Sequence, residues 1–179
     1  LLDLTSLGTK HQPFSVANKV KMMNSIALFT TIVSALYTLT YALVLNELLV
    51  ASINLLFTLA YIATLLLNRQ GAIKEAKIWF FVILMLHLWV CTNMYVTKES
   101  GFHLYYFLVP TGAFLLFELN EKFTKLWLSC VAVVLFLICE NNINTAPLIQ
   151  LTDEMNQAIY QSVVLVNMVE VIWVMTIFV

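Results

Sequence analysis

Few side chains in this sequence could do chemistry, and they fall in four places. The stretch Gly101 to Pro110, GFHLYYFLVP, sets His103 and Tyr106 three positions apart amid apolar neighbours. His87 stands in another apolar run, with Trp89, Cys91 and Asn93 just after it. Glu140 ends a third run, and Asn167 and Glu170 lie deep within a fourth. An imidazole near a carboxylate can bind a ligand through charge-assisted hydrogen bonds, relay a proton or share a divalent metal. Which of these applies depends on the solvent around them.

That solvent is lipid. Of 179 residues, 61% are apolar and 11% charged, and the mean hydropathy is +0.90. Soluble domains carry about a quarter charged residues, so most of this chain belongs in a bilayer. A net charge of -1 offers nothing to nucleic acid. Cys91, Cys130 and Cys139 sit singly in apolar runs without metal-ligand or disulfide spacing.

Crossing ~30 Å of hydrocarbon takes ~20 apolar residues, and six runs qualify: about 22–45, 48–68, 75–97, 102–118, 124–141 and 157–179. The sequence therefore predicts an all-α, polytopic membrane protein with six transmembrane helices. Residues 1–21 read as a cytosolic amphipathic lead-in, without the features of a signal peptide, and 22–179 as the membrane domain. Lys10, Lys19, Lys21, Arg69, Lys74, Lys77, Lys122 and Lys125 fall on one side of that arrangement and Lys98 on the other. Positive charge marks the cytosolic side, so both termini are expected there. The sixth run is still apolar at Phe178 and Val179, which predicts a chain continuing into a cytosolic catalytic domain.

Ionisable groups at membrane depth are costly, which makes each a candidate site. Asn156, Tyr160, Val163, Asn167, Glu170 and Val174 form one stripe at helical spacing, suited either to a register-fixing or dimer seam or to ligand or proton binding. His87 can hydrogen-bond across helices or face a ligand. His103 and Tyr106 share a face and suit either the interfacial aromatic belt or a pocket. Pro110 favours the pocket, since it lacks an N–H and should leave the Tyr106 carbonyl without its helical partner. The candidate ligand-binding set is thus His87, Trp89, Asn93, His103, Tyr106, Asn167 and Glu170. His103, which opens its run, and Glu140, which closes its own, fall on the same outer side and could approach and hold a divalent metal. Haem ligation by His87 and His103 is disfavoured by their different depths. Stripes Asn24, Thr31, Ser34, Thr38, Tyr41 and Asn54, Thr58, Tyr61, Asn68 look like close-packing seams between the first two helices.

No glycine-rich phosphate loop, nucleophile elbow or zinc-protease motif is present, so no catalytic residue is assigned. The basic lead-in NKVKMMNSIAL, the cytosolic LNRQGAIKEAK, the SGFHLYYFLVP…FLLFE of the fourth run and a Pro147-containing last loop resemble one group. They are similar to the six-helix N-terminal membrane domains of bacterial signalling enzymes: class III adenylate/guanylate cyclases, GGDEF diguanylate cyclases and some histidine kinases. The resemblance implies a homodimer in the bacterial inner membrane that senses a lipid-like or small-molecule ligand and relays it through the sixth helix to a cytosolic nucleotide cyclase. A histidine-kinase sensor, a small transporter or ion relay using Glu170, His87 and His103, and a passive anchor are the alternatives.

Overall fold

Every regular element in the computed structural model is helical, which describes residues 3–10, 12–141 and 147–178; the side chains at 170, 173–175, 177 and 178 lie outside that description. Six α-helices follow in order: α1 Phe14–Leu39, α2 Leu48–Arg69, α3 Ile73–Val90, α4 Leu108–Leu116, α5 Lys122–Asn141 and α6 Asp153–Phe178. Each predicted run has its helix, but the first starts at Phe14, so the later part of the lead-in forms its opening turns. Pro13, extended at φ -55 and ψ 149, precedes it, where a missing N–H costs nothing.

Two helices end in π-helical turns, Thr40–Val44 after α1 and Cys91–Tyr95 after α3. The α1–α2 hairpin turns at Asn46, whose φ of 55 is a left-handed value asparagine tolerates better than most residues. Four helical stretches, Phe14–Val44, Leu48–Arg69, Ile73–Tyr95 and Lys122–Asn141, are long and apolar enough to cross a membrane. The fourth run is shorter, Phe102–Leu116, and α6 has 26 residues.

The chain divides into two compact units, Leu1–Leu84 with Phe114–Lys122 and Met85–Ala113 with Phe123–Val179. The first shows which solvent the fold is built for. On α2, Asn54, Thr58, Thr64 and Asn68 are buried while Leu55, Leu56, Leu59 and Leu66 are exposed. On α1, Asn24, Thr31 and Ser34 are buried while Ile32, Leu36 and Leu39 are exposed. Water would favour the reverse arrangement, because leucines in water cost free energy and buried amides must find partners. A hydrocarbon surround makes it the stable choice.

The amide donors of the buried asparagines do find partners. Ser34 and Thr58 hydroxyls lie 2.7 Å apart, and Asn54 Nδ2 donates to the Ser34 carbonyl and Thr38 Oγ1, both at 2.8 Å. Nearer the chain start, Asn68 Nδ2 donates to Asn24 Oδ1 at 2.7 Å. Asn24 Nδ2 in turn donates to the Thr5 and Leu7 carbonyls at 2.9 and 2.8 Å. Both sequence stripes thus meet as one polar seam, which also ties down the short 3₁₀ turn Leu4–Ser6. Asp3 caps that turn, and the Thr5 hydroxyl holds its carboxyl below the ordinary range.

Several lysines counted as loop charges turn toward protein. Lys19 pairs with Glu118 at 3.0 Å and donates to the Phe117 carbonyl at 3.2 Å; Lys74 lies 3.8 Å from Glu121. Lys77 is buried with its ammonium 5.5 Å from the Phe117 ring centroid, a cation–π arrangement. Lys125 is buried as well.

In the second unit, the segment before α6 is pinned to the end of α3. Leu148 N–H donates to the Met94 carbonyl at 2.9 Å and Ile149 N–H to the Tyr95 carbonyl at 2.8 Å, partnering carbonyls that a helix C-terminus leaves open. α6 opens with Thr152 Oγ1 accepting from Met155 N–H and with Asp153 and Glu154 in its first turn, where the helix dipole favours negative charge.

Candidate functional site: a carboxylate held by His103 and Lys98

Gly101 is the joint of this site. Its φ of 78 is left-handed, and it separates two short 3₁₀ helices, Lys98–Ser100 and Phe102–Phe107. Its N–H closes on the Lys98 carbonyl at 2.9 Å, and Leu104 N–H closes on its own carbonyl at 2.9 Å. Lys98 stands on one side of the joint and His103 on the other.

Both reach Glu140, near the end of α5. His103 Nε2 is 3.0 Å from Glu140 Oε2, and Lys98 Nζ is 4.0 Å from Glu140 Oε1 while donating to the Glu140 carbonyl at 3.0 Å. The imidazole is buried and the carboxylate half-exposed, so one partner is fixed and the other meets the surroundings. His103 packs on Phe136, one turn before Glu140, with centroids 5.5 Å apart; Phe107 meets the same ring at 4.9 Å, tilted by 48°. With Nε2–H spent on Glu140, Nδ1 is left as a buried acceptor with no described hydrogen-bond partner.

The 3₁₀ winding puts Tyr106 in line with His103, because residues three apart eclipse at three per turn. Tyr106 is buried and its hydroxyl donates to the Met85 carbonyl at 2.8 Å. Pro110 falls in the first turn of α4, where helix N–H groups have no partners anyway, and Leu108 N–H closes the preceding 3₁₀ turn on the Tyr105 carbonyl with the Tyr106 carbonyl as a second acceptor. The run changes there from 3₁₀ to α winding.

Asn93, in the π turn after α3, donates to the Trp89 carbonyl at 2.8 Å and to Cys139 Sγ at 3.3 Å, so it borders α5 next to Glu140 in sequence. Trp89 is partly exposed, and His87 lies half-buried one turn before Cys91. Asn167 spends its amide on its own helix, donating to the Val163 carbonyl at 2.9 Å. The Glu170 side chain lies outside the described residues. The structure thus gathers His103, Tyr106, Asn93 and Glu140 into one unit.

Among the described residues, no third His, Cys, Asp or Glu joins His103 and Glu140 in a group able to hold a metal. A divalent ion there would draw two donors from this protein. Lys98, used in the sequence only to set sidedness, and Phe136 complete the site; the one signal for Lys98 was its isolation from every other cation of the chain. A carboxylate held by an imidazole and an ammonium through charge-assisted contacts is chemically able to exchange partners.

Neither curated proteins nor solved structures give a match. The MASE7 family model matches residues 9–179, which takes in all six α-helices and the His103–Glu140–Lys98 site. MASE domains are membrane-associated sensor domains of signalling proteins. By that match over nearly its whole length, the chain belongs to the MASE7 family.

Proposed function

We propose that this MASE7 domain is the receptor and anchor of a bacterial signalling enzyme: a six-span, inner-membrane homodimer with both termini in the cytosol. It senses a lipid-like or small-molecule ligand at the His103–Glu140–Lys98 end and relays its presence through α6 to a cytosolic nucleotide cyclase. The observation that carries this reading is a carboxylate gripped by residues of the two short 3₁₀ helices that α6 packs against, in a chain of a sensor family. A domain without assigned catalytic residues but with an exchangeable polar cluster is suited to binding.

Six spans are compatible with the element lengths. The 3₁₀ part of the fourth run rises ~2.0 Å per residue and the α part ~1.5 Å, giving a contour of about 26 Å, close to the hydrocarbon thickness. α6, at 26 residues, is longer than a crossing needs. Relay needs little free energy, since a tenfold change in output corresponds to ~1.4 kcal/mol of differential affinity between two states.

Sidedness is directly measurable. With Cys130 replaced by Ser, Glu99→Cys should react with a membrane-impermeant maleimide on intact cells, and Lys122→Cys only after lysis; both positions are exposed. Labelling of both from the same side would contradict the six-span arrangement.

A further inference from the structure

The joint that carries Lys98 and His103 is also the place where α6 rests. A Cβ built on Gly101 would lie 2.7 Å from Cδ2 and 3.2 Å from Cε2 of Tyr160, so the ring, exposed on its other side, rests on the glycine and would have to shift to admit a methyl group. Ser100, next to it, is fully buried, and its N–H and hydroxyl both bond to the Thr97 carbonyl, so the turn is stiff. Val163, one turn after Tyr160, is buried too. Toward the start of α6 the seam opens into a groove of about 210 Å³ between Thr97 on the turn and Asn156 on the helix. The helix therefore touches the joint at Tyr160, with a groove one turn earlier and the pinned Leu148–Ile149 segment before that.

We propose that the Gly101–Tyr160 contact couples the grip on Glu140 to the position of α6. While Lys98 and His103 both hold Glu140, the two short helices are fixed to α5 and the glycine between them is a firm seat for Tyr160. When a ligand takes the carboxylate away, the joint relaxes and the ring moves with it. Tyr160 is a positioning residue: it does not touch the carboxylate but reports its state to the helix. The proposal rests on the reading of α6 as the output element, and its test does not require that reading to be right.

Spin labels on Leu137 of α5 and Leu165 of α6, both exposed side chains, report the spacing of the two helices in lipid nanodiscs when Cys130 is replaced by Ser. Electron–electron distance measurement should show a shifted or broadened distribution in Glu140→Gln. Tyr160→Leu should show the same change, and the double variant no more than either single one, because a released seat cannot be released twice. Tyr160→Phe keeps the ring on Gly101 and should keep the native distribution. A native distribution in Glu140→Gln, or additive changes in the double variant, would overturn the coupling. Should the distance shift appear while the output of the full-length enzyme ignores Tyr160→Leu, the coupling stands and the sensor reading falls.

Discussion

Gly8→Ala is expected to destabilise the protein far more than Gly71→Ala, although both glycines are left-handed, at φ 78 and 85. A Cβ at Gly8 would stand 2.1 Å from the Asn68 carbonyl oxygen, whereas one at Gly71 meets nothing within 4 Å. Gly71→Ala then carries only the backbone term, ~1–2 kcal/mol. Gly8→Ala adds a collision with backbone that cannot rotate away, for a total of about 3 kcal/mol or more. Thermal unfolding in detergent should show a clear loss for Gly8→Ala and a small one for Gly71→Ala. Equal losses would mean that the N-terminal segment is not seated on the end of α2.

A second large effect is expected at the seam that the same segment completes. Asn24→Leu removes the acceptor of the Asn68 amide and the donor to the Thr5 and Leu7 carbonyls, three bonds among buried or half-buried groups. Each polar group left unsatisfied costs ~1–3 kcal/mol, so a loss of about 3 kcal/mol is expected. Asn54→Leu should cost less, near the ~0.6 kcal/mol average for interhelical bonds in membranes. Its two acceptors have other partners: the Ser34 carbonyl takes the Thr38 hydroxyl at 3.0 Å, and Thr38 Oγ1 also lies 3.5 Å from Thr58 Oγ1. Unfolding midpoints of the two variants, measured side by side, should separate them in that order.

The polar stripes on α1 and α2 were legible in the sequence because regular α-helix turns spacing into a face, and each apolar run has its helix, although the first begins at Phe14 rather than at 22. Where winding departs from 3.6 residues per turn, that reading weakens. The π turns Thr40–Val44 and Cys91–Tyr95 and the 3₁₀ stretch Phe102–Phe107 left no pattern that spacing alone would reveal. His103 and Glu140 were legible as a pair because one opens and the other closes an apolar run on the same predicted side of the membrane. The part played by Lys98 was hidden by its being a loop charge, and Lys77 and Lys125 were read as aqueous-facing although they are buried. A long stem can carry an ammonium back toward protein, and composition does not record which way it goes. The seat of Tyr160 on Gly101 depends on tertiary packing between residues far apart in sequence, which no single-sequence pattern encodes.

The sensor reading is tested most directly with the full-length protein in lipid, by following cytosolic enzyme output with and without added membrane extract, in the native protein and in His103→Ala. The account predicts an output that responds in the native protein and no longer does so in His103→Ala, with assembly unchanged. An output indifferent to the extract in both proteins, or equally responsive in both, would contradict it.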